Sequence, residues 1–314
     1  MQKFLLAFLC VSLLLVSCKT TKEASGDSGT NVKTEKELKY EPLANALLWE
    51  ITNDSIENPS YLYGTIHIIP SEDYFLPKGT LEAIGSSEKM VFEIDMKEMN
   101  NIAKQLGLLS KAFMKDGLTL KDLYTEEEYE IVKEHFRKIG LPIFFLERMK
   151  PMLLTVFASG DFDPSDLQSG AAKSYEMEFY DMAKDSKMET GGLETIEYQM
   201  SIFDSIPYTE QAEMLLETIE LSDTESGGFQ EMIDIYKLQD IEGMQTMFDE
   251  DDSIEGNEDI LLIDRNKNWI PLIGEYMKEG TTFFAVGAGH LAGPDGVLHL
   301  LRKEGYRIRP VSNE

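Results

Sequence analysis

Short apolar segments that alternate with helix-like segments constrain the fold of this chain more than any other feature. Residues 60–67, 89–95 and 281–286 have the composition of strands, and a short helix is predicted at 78–86. A strand, a helix and a strand in this order favour a βαβ unit. We therefore expect an α/β fold with a mixed, mostly parallel central sheet flanked by helices.

Longer helical patterns follow the second of these strands. Residues 97–160 are predicted to form a helical insertion, in which Thr125 and Glu128 fit a capping box and Gly140 to Pro142 stop the helix. Further helices are predicted at 175–184, 209–222, 229–248, 260–278 and 296–304.

The first residues have the pattern of a bacterial lipoprotein signal. An apolar stretch from Phe4 to Val16 is too short to span a bilayer as a stable helix, and Ser17 and Cys18 complete a lipobox. We predict that residues 1–17 are a signal peptide and that acyl chains on Cys18 anchor the protein to a membrane of the cell envelope. The alternative is an ordinary signal peptide, or an uncleaved anchor, that happens to contain a cysteine.

The segment after the lipobox predicts a linker. Residues 18–42 are rich in Lys, Thr, Ser, Glu and Gly, which is typical of a disordered tether, and residues 43–314 then form the α/β domain. Both cysteines, Cys10 and Cys18, precede this domain. Disulfide bonds, thiolate metal sites and cysteine nucleophiles are therefore excluded within it.

The charge of the chain excludes one class of partner. Twenty-nine basic and 57 acidic residues give a formal net charge of −28. Such a field repels nucleic acid, and it also argues against electrostatic membrane docking beyond the acyl anchor. We expect a location on the outer membrane, at its periplasmic face or at the cell surface.

Polar residues stand at the ends of four predicted strands. His67, Glu93, Glu194 and His290 each lie at or just past the carboxyl end of a strand. In open α/β sheets this edge is where ligands bind, so we expect the four side chains to share one site.

Two of these residues occur in the same local frame. Gly64 to His67 and Gly287 to His290 are both G-x-x-H sequences after an apolar strand. Glycine permits a positive φ or a close backbone approach there. The repetition suggests two pseudo-equivalent halves that meet at one site, although a lone G-x-x-H histidine is more often structural.

Two imidazoles and a carboxylate form the ligand set of many hydrolytic metal sites. We predict that His67, His290 and Glu93 bind a divalent metal, Mn²⁺, Co²⁺ or Zn²⁺, with Glu93 as ligand or general base. Asp95 is a lesser candidate. Arg265 is predicted either to orient the site through a carboxylate or to form an ordinary structural ion pair.

The remaining polar features favour structural roles. His135 and His299 lie on predicted helices. The acidic segment 249–259 lacks the spacing of an EF-hand, and no G-x-S-x-G sequence supports a serine triad.

The ordered set of motifs resembles the TraB/GumN family, which includes PrgY and the animal Tiki proteins. The resemblance covers about residues 43–312. The motifs that carry it are Tyr63 to His67, Phe92 to Asp95, Gly192 to Thr195 with Gln199, Arg265 and Asn266 with Trp269, and Val286 to His290.

The resemblance implies the α/β architecture of erythromycin esterase and the haem-binding protein ChaN. Because Tiki proteins are metal-dependent proteases, it also implies a site of His67, His290 and Glu93. The family often has an aspartate near the position of Glu176, and this departure leaves Glu176 out of the predicted site.

The leading hypothesis is an envelope-anchored, metal-dependent peptidase or related hydrolase that acts on an extracytoplasmic peptide or protein. A close variant is a metal-free hydrolase with His67 or His290 as general base. The alternatives are a haem- or metal-binding surface lipoprotein and a non-catalytic, peptide-sequestering module.

Overall fold

The computed structural model describes residues 38–98, 107, 110–158, 164–222, 228–249 and 256–311. The predicted signal peptide, Cys18 and most of the predicted tether lie outside these residues. Tyr40, at the start of the described chain, donates a hydrogen bond to Glu242 and accepts one from the backbone N–H of Gly293. Within the described ranges, no helix is both long and apolar enough to cross a membrane.

In the described residues, eight strands form two sheets. They are β1 (Leu48–Thr52), β2 (Ser60–Thr65), β3 (Ile69–Pro70), β4 (Lys89–Ile94), β5 (Ala172–Lys173), β6 (Glu189–Glu194), β7 (Thr282–Gly287) and β8 (Arg307–Pro310). The central sheet has the order β6-β4-β7-β2-β1-β8, and β3 pairs with β5 separately. Neighbours from β6 to β2 are parallel, whereas β1 is antiparallel to β2 and to β8.

Helices cover the sheet. The described α-helices are Thr80–Ser86, Leu120–Leu123, Glu126–Lys138, Pro151–Ala158, Pro164–Ser169, Tyr175–Asp185, Ile196–Ile202, Tyr208–Ser222, Gly228–Lys237, Ile241–Asp249, Asp264–Glu279 and Val297–Lys303. The predicted α/β class with a mostly parallel central sheet is therefore confirmed.

The central strands β4 and β7 are largely apolar because both faces of the sheet are covered. Every residue of β7 is buried, and β4 is buried from Met90 onward. A strand buried on both faces has a continuous apolar run instead of an alternating one. This is the pattern by which the sequence predicted both strands.

The helical insertion has a core of its own. Val132 and Phe136 of the helix Glu126–Lys138 pack in a second apolar cluster with Leu215 and Ile219 of the helix Tyr208–Ser222. The predicted capping box is present at its first turn, where Thr125 and Glu128 exchange hydrogen bonds.

One helix predicted from the sequence is two separate helices in the structure. The segment 229–248 is divided into Gly228–Lys237 and Ile241–Asp249, because Gln239 adopts a left-handed φ of 56°. Asp240 Oδ1 accepts a hydrogen bond from the N–H of Gly243 at the start of the second helix. Both helices turn apolar side chains to the same core, so the helical pattern continues through the break.

Candidate functional site

Four adjacent parallel strands end at one edge with a titratable side chain each. Glu194 ends β6, Glu93 lies one residue before the end of β4, and His290 and His67 follow β7 and β2. Since these strands are neighbours in that order, the structure brings all four residues to one edge of the sheet.

The guanidinium of Arg265 occupies the middle of this edge. Its Nη2 lies 2.6 Å from Glu93 Oε2 and 2.7 Å from Glu194 Oε1. Its Nη1 lies 3.2 Å from His290 Nε2 and donates to the carbonyl of Leu261. The Arg265 side chain is fully buried. Its charge is therefore balanced by two carboxylates inside the protein.

One helix carries the side chains that hold this network. In Asp264–Glu279, Asn266 and Trp269 follow Arg265 by one residue and by about one turn. Trp269 Nε1 donates to Glu194 Oε2 over 3.1 Å, and its ring lies 4.4 Å from that of His290. The three residues of the Arg-Asn-x-x-Trp sequence thus all contact the site at the carboxyl edge of the sheet.

His290 is a neutral, fully hydrogen-bonded imidazole. Its Nδ1 lies 2.6 Å from Asn266 Oδ1, while the amide nitrogen of Asn266 donates to the carbonyl of Asp295. Nδ1 therefore donates, and Nε2 accepts from Arg265. Burial, and then the charge of Arg265, hold the pKa of His290 well below its ordinary value of 6.5.

The two carboxylates differ in their electrostatic surroundings. Glu93 accepts hydrogen bonds from the N–H of Gly287 (2.8 Å) and from Arg265. Burial raises the pKa of Glu93, but the charge of Arg265, the two histidines and the N–H of Gly287 together lower it by more, so the pKa lies below its ordinary value. For Glu194 burial outweighs the same cation, and its pKa is raised.

His67 is the accessible histidine of the site. Its side chain is 26% exposed, and its Nδ1 lies 3.0 Å from Glu176 Oε1. Glu176 also accepts hydrogen bonds from Thr65 Oγ1 (2.7 Å) and Ser174 Oγ (3.0 Å). Burial lowers the pKa of His67, but the carboxylates of Glu176 and Glu93 together raise it by more, so the pKa lies above 6.5.

Glu176 is the site residue that sequence reasoning left out. It lies in the first turn of Tyr175–Asp185, whose N-cap is Ser174. A helix N-terminus stabilises a carboxylate. The Ser-x-Glu sequence at the start of a predicted helix was a usable signal, but its pairing with His67 depends on the tertiary structure.

The other candidates lie elsewhere. Asp95 follows the end of β4 and accepts a hydrogen bond from Thr190 Oγ1 (3.0 Å), apart from the Arg265 network. His135 is buried in the helical insertion beside Phe136, and the ring of His299 contacts that of Tyr40.

The first glycines of the two G-x-x-H sequences do not adopt a positive φ, and Gly64 permits a close approach. Neither Gly64 nor Gly287 is among the described glycines with positive φ. A Cβ added at Gly64 would lie 3.1 Å from Cβ of Ala288 and 3.0 Å from Leu291 Cδ2. Gly64 therefore lets the turn that carries His290 lie directly on β2.

The predicted metal ligands do not fit a metal in this arrangement. The ligand atom of His290 accepts a hydrogen bond from Arg265, and both oxygens of Glu93 are hydrogen-bonded. Among the residues that the structure describes, no group of three or more His, Cys, Asp or Glu side chains is placed to hold a metal ion. A protein cation occupies the position between these two predicted ligands.

The carboxyl edge of this α/β sheet thus gathers two histidines, three glutamates and a buried arginine. The chain belongs to the TraB/PrgY/gumN family, whose model matches residues 47–310. The family predicted from the motifs is therefore confirmed.

Its relatives include proteins named metalloproteases. The chain is 23% identical to Metalloprotease TIKI1 of Danio rerio, over 84% of this chain and 63% of that protein. It is 24% identical to human Metalloprotease TIKI1, over 97% and 68%, and 22% identical to the TIKI homolog of Nematostella vectensis, over 100% and 77%. The chain thus spans about two thirds of the length of the TIKI1 relatives.

No solved structure matches the chain. The relationship to erythromycin esterase and ChaN, and the division into two halves, stay predictions.

Proposed function

We propose that this protein is an envelope-anchored hydrolase that cleaves an extracytoplasmic peptide or protein. The observation that carries the proposal is the His67–Glu176 pair, an accessible imidazole held by a buried carboxylate beside the Arg265 network. The names of the metalloprotease relatives support a peptide bond as the target.

In this proposal His67 is the general base. The Nδ1–H of His67 donates to Glu176, which leaves the lone pair on Nε2 for a water molecule. As the water oxygen bonds to the scissile carbonyl carbon, His67 takes one proton. When the carbon–nitrogen bond breaks, His67 returns that proton to the leaving amine, and the carboxylate of Glu176 stabilises the intervening imidazolium.

Arg265 and its partners position this pair and the sheet edge. Arg265 directs hydrogen bonds to Glu93, Glu194, His290 and Leu261. A fully buried guanidinium with these partners acts through them, so we assign Arg265 as a positioning residue.

The metal-dependent form of the proposal has separate support. The relatives are named metalloproteases, which favours a divalent metal such as Mn²⁺, Co²⁺ or Zn²⁺. The contacts of Arg265 with Glu93 and His290 favour the metal-free form. The proposed steps therefore use only His67, Glu176 and a water molecule, and treatment with a chelator separates the two forms.

The test is cleavage of a peptide library by the full chain, with products identified by mass spectrometry. Hydrolysis in heavy-oxygen water should place one heavy oxygen in each new carboxyl group. His67→Asn should abolish cleavage while the unfolding transition stays cooperative. If peptides bind but are not cleaved, with or without added Mn²⁺, Co²⁺ or Zn²⁺, the result would instead favour the non-catalytic, peptide-sequestering module.

The haem-binding alternative makes a different prediction. Both nitrogens of His290 are hydrogen-bonded, so a haem iron would have to take Nε2 of His67. A haem titration that gives a Soret shift in the wild type, and none in His67→Asn, would favour this function over hydrolysis.

A further inference from the structure

The turn after the helix Glu126–Lys138 displays two phenylalanines to solvent. Phe144 is 81% exposed and Phe145 is 70% exposed, and both lie in the short 3₁₀ helix Ile143–Phe145. Their rings lie edge to face with centroids 5.4 Å apart, and Ile139 is partly exposed nearby in sequence. Contact surfaces of proteins often carry exposed apolar groups of this kind.

Backbone hydrogen bonds hold this turn in shape. Gly140 adopts a left-handed φ of 79°, and the N–H of Leu141 donates to the carbonyl of Phe136. The N–H of Phe145 donates to the carbonyl of Pro142 over 3.0 Å. Leu141 and Ile143 pack on the second apolar cluster, so the turn is tied to the core.

The charge around the turn differs from that of the whole chain. Residues 137–148 contain three basic side chains, Arg137, Lys138 and Arg148, and one acidic side chain, Glu147. Arg137 pairs with Glu134 but remains exposed. In a chain with a net charge of −28, this is a locally basic border around an apolar tip. The combination suits a lipid surface, with rings in the acyl region and basic side chains at the headgroups.

We propose that Phe144 and Phe145 insert into the membrane surface to which the chain is predicted to be anchored. The 20 residues from Cys18 to Leu38 reach about 70 Å when fully extended. A domain of this size has a radius of gyration of about 18 Å. The predicted tether therefore allows this turn to reach the bilayer. Since the overall charge opposes electrostatic docking, burial of the two rings supplies the attraction.

The first test places a fluorescent probe at the tip. In the full chain, Trp49 and Trp269 are buried and give a constant background. Phe144→Trp is compared with Leu238→Trp, which replaces a leucine that is also exposed. On vesicles of phosphatidylethanolamine and phosphatidylglycerol with brominated acyl chains, the probe at 144 should shift to the blue and be quenched, and the probe at 238 should not.

Two results would overturn the proposal. Equal emission of both probes with and without vesicles would mean that the turn stays in water. A blue shift at 144 that grows with protein concentration in the absence of lipid would mean that a second copy of the chain covers the turn.

A partition measurement tests the contribution of the rings. In the Cys18→Ser chain, which has no acylation site, the double variant Phe144→Ser/Phe145→Ser should bind vesicles about tenfold more weakly for each ring removed. The matched control is Leu81→Ser/Leu238→Ser, which removes two other exposed apolar side chains. Equal loss in the two double variants would contradict insertion of this turn.

Discussion

Arg265 lies between Glu93 and His290, with Nη2 2.6 Å from the carboxylate and Nη1 3.2 Å from the imidazole. A fixed protein cation therefore stands between two of the three predicted metal ligands. Burial and this cation together lower the pKa of His290, and the cation also helps to lower the pKa of Glu93. His67 is left as the accessible histidine of this edge.

Removal of this cation should cost much of the stability of the fold. Arg265→Met leaves Glu93 and Glu194 buried without their counterion, and the free energy of unfolding should fall by about 3–5 kcal/mol. Lys267→Met is the control, because Lys267 lies on the same helix but its side chain is 53% exposed. Urea unfolding measures both variants, and equal losses would show that the buried ion pairs do not support the fold.

Replacement of the carboxylate partner of His67 should change both rate and pH dependence. Glu176→Gln should lower kcat/KM by about 10²-fold or more, because the imidazole loses its orientation and the stabilisation of its charge. A general base acts when neutral, so activity rises with pH through the pKa of His67, which Glu176 raises above 6.5. In Glu176→Gln this rise in activity, the acid limb of the pH profile, should move to lower pH.

Glu178→Gln is the matched control for this variant. Glu178 lies on the same helix, two residues further on, and pairs with Lys173 instead of His67. Its pH profile should match that of the wild type. An unmoved acid limb in Glu176→Gln would exclude His67 as the titrating base.

His290 should give the fold a dependence on pH. Its folded pKa lies below the ordinary 6.5, so the unfolded chain takes up the proton first as the pH falls below 6.5. Its contribution to stability is therefore present above pH 6.5 and is lost below it. The pKa of His67 is raised, so its contribution to stability is lost as the pH rises above 6.5. The pKa of Glu93 is lowered, so its contribution to stability changes only below its ordinary pKa of 4.5.

The variant His290→Gln isolates this effect. Between about pH 6 and 5, the slope of the unfolding free energy against pH should decrease by up to about 1.4 kcal/mol per unit, the value for one proton. His299, whose pKa is also lowered, still contributes to the slope between these pH values in the variant. Unfolding curves at several pH values measure the slope, and an unchanged slope would mean that His290 is protonated in the folded protein.

Chelation separates the two forms of the proposed function. If Arg265 keeps its contacts with Glu93 and His290, treatment with a chelator should leave cleavage and the unfolding midpoint unchanged. Elemental analysis of the wild type and of His67→Ala/His290→Ala should then show no difference in metal content. Activity that is lost on chelation and restored by Mn²⁺, Co²⁺ or Zn²⁺ would mean that Arg265 leaves this position in the active enzyme.

A side chain at position 64 should destabilise the fold. Gly64→Ala places a Cβ within 3.1 Å of Ala288, so the variant should lose about 1–3 kcal/mol of stability through overpacking. Gly85→Ala is the control, because a Cβ there meets nothing within 4 Å and alanine favours a helix. Gly85→Ala should gain a little stability. Equal midpoints for the two variants would contradict the close packing of β2 on the His290 turn.

Much of the fold could be predicted because its signals are local. The strands at 89–95 and 281–286 are marked by the apolar runs 90–92 and 283–286, and Thr125 and Glu128 form a cap within a single turn. The helix predicted at 229–248 was wrong for a local reason too, since a left-handed residue at 239 interrupts an apolar pattern that continues beyond it.

The sequence by itself determined the α/β class and the four polar strand ends, because parallel strands end at a common edge whatever the loops between them do. The tertiary structure decided which side chains pair there. His67 meets Glu176 across 109 residues, and Arg265 reaches Glu93 across 172. Such pairing depends on the distances between packed elements and on the need to balance buried charge. The spacing of residues along the chain predicts neither of these.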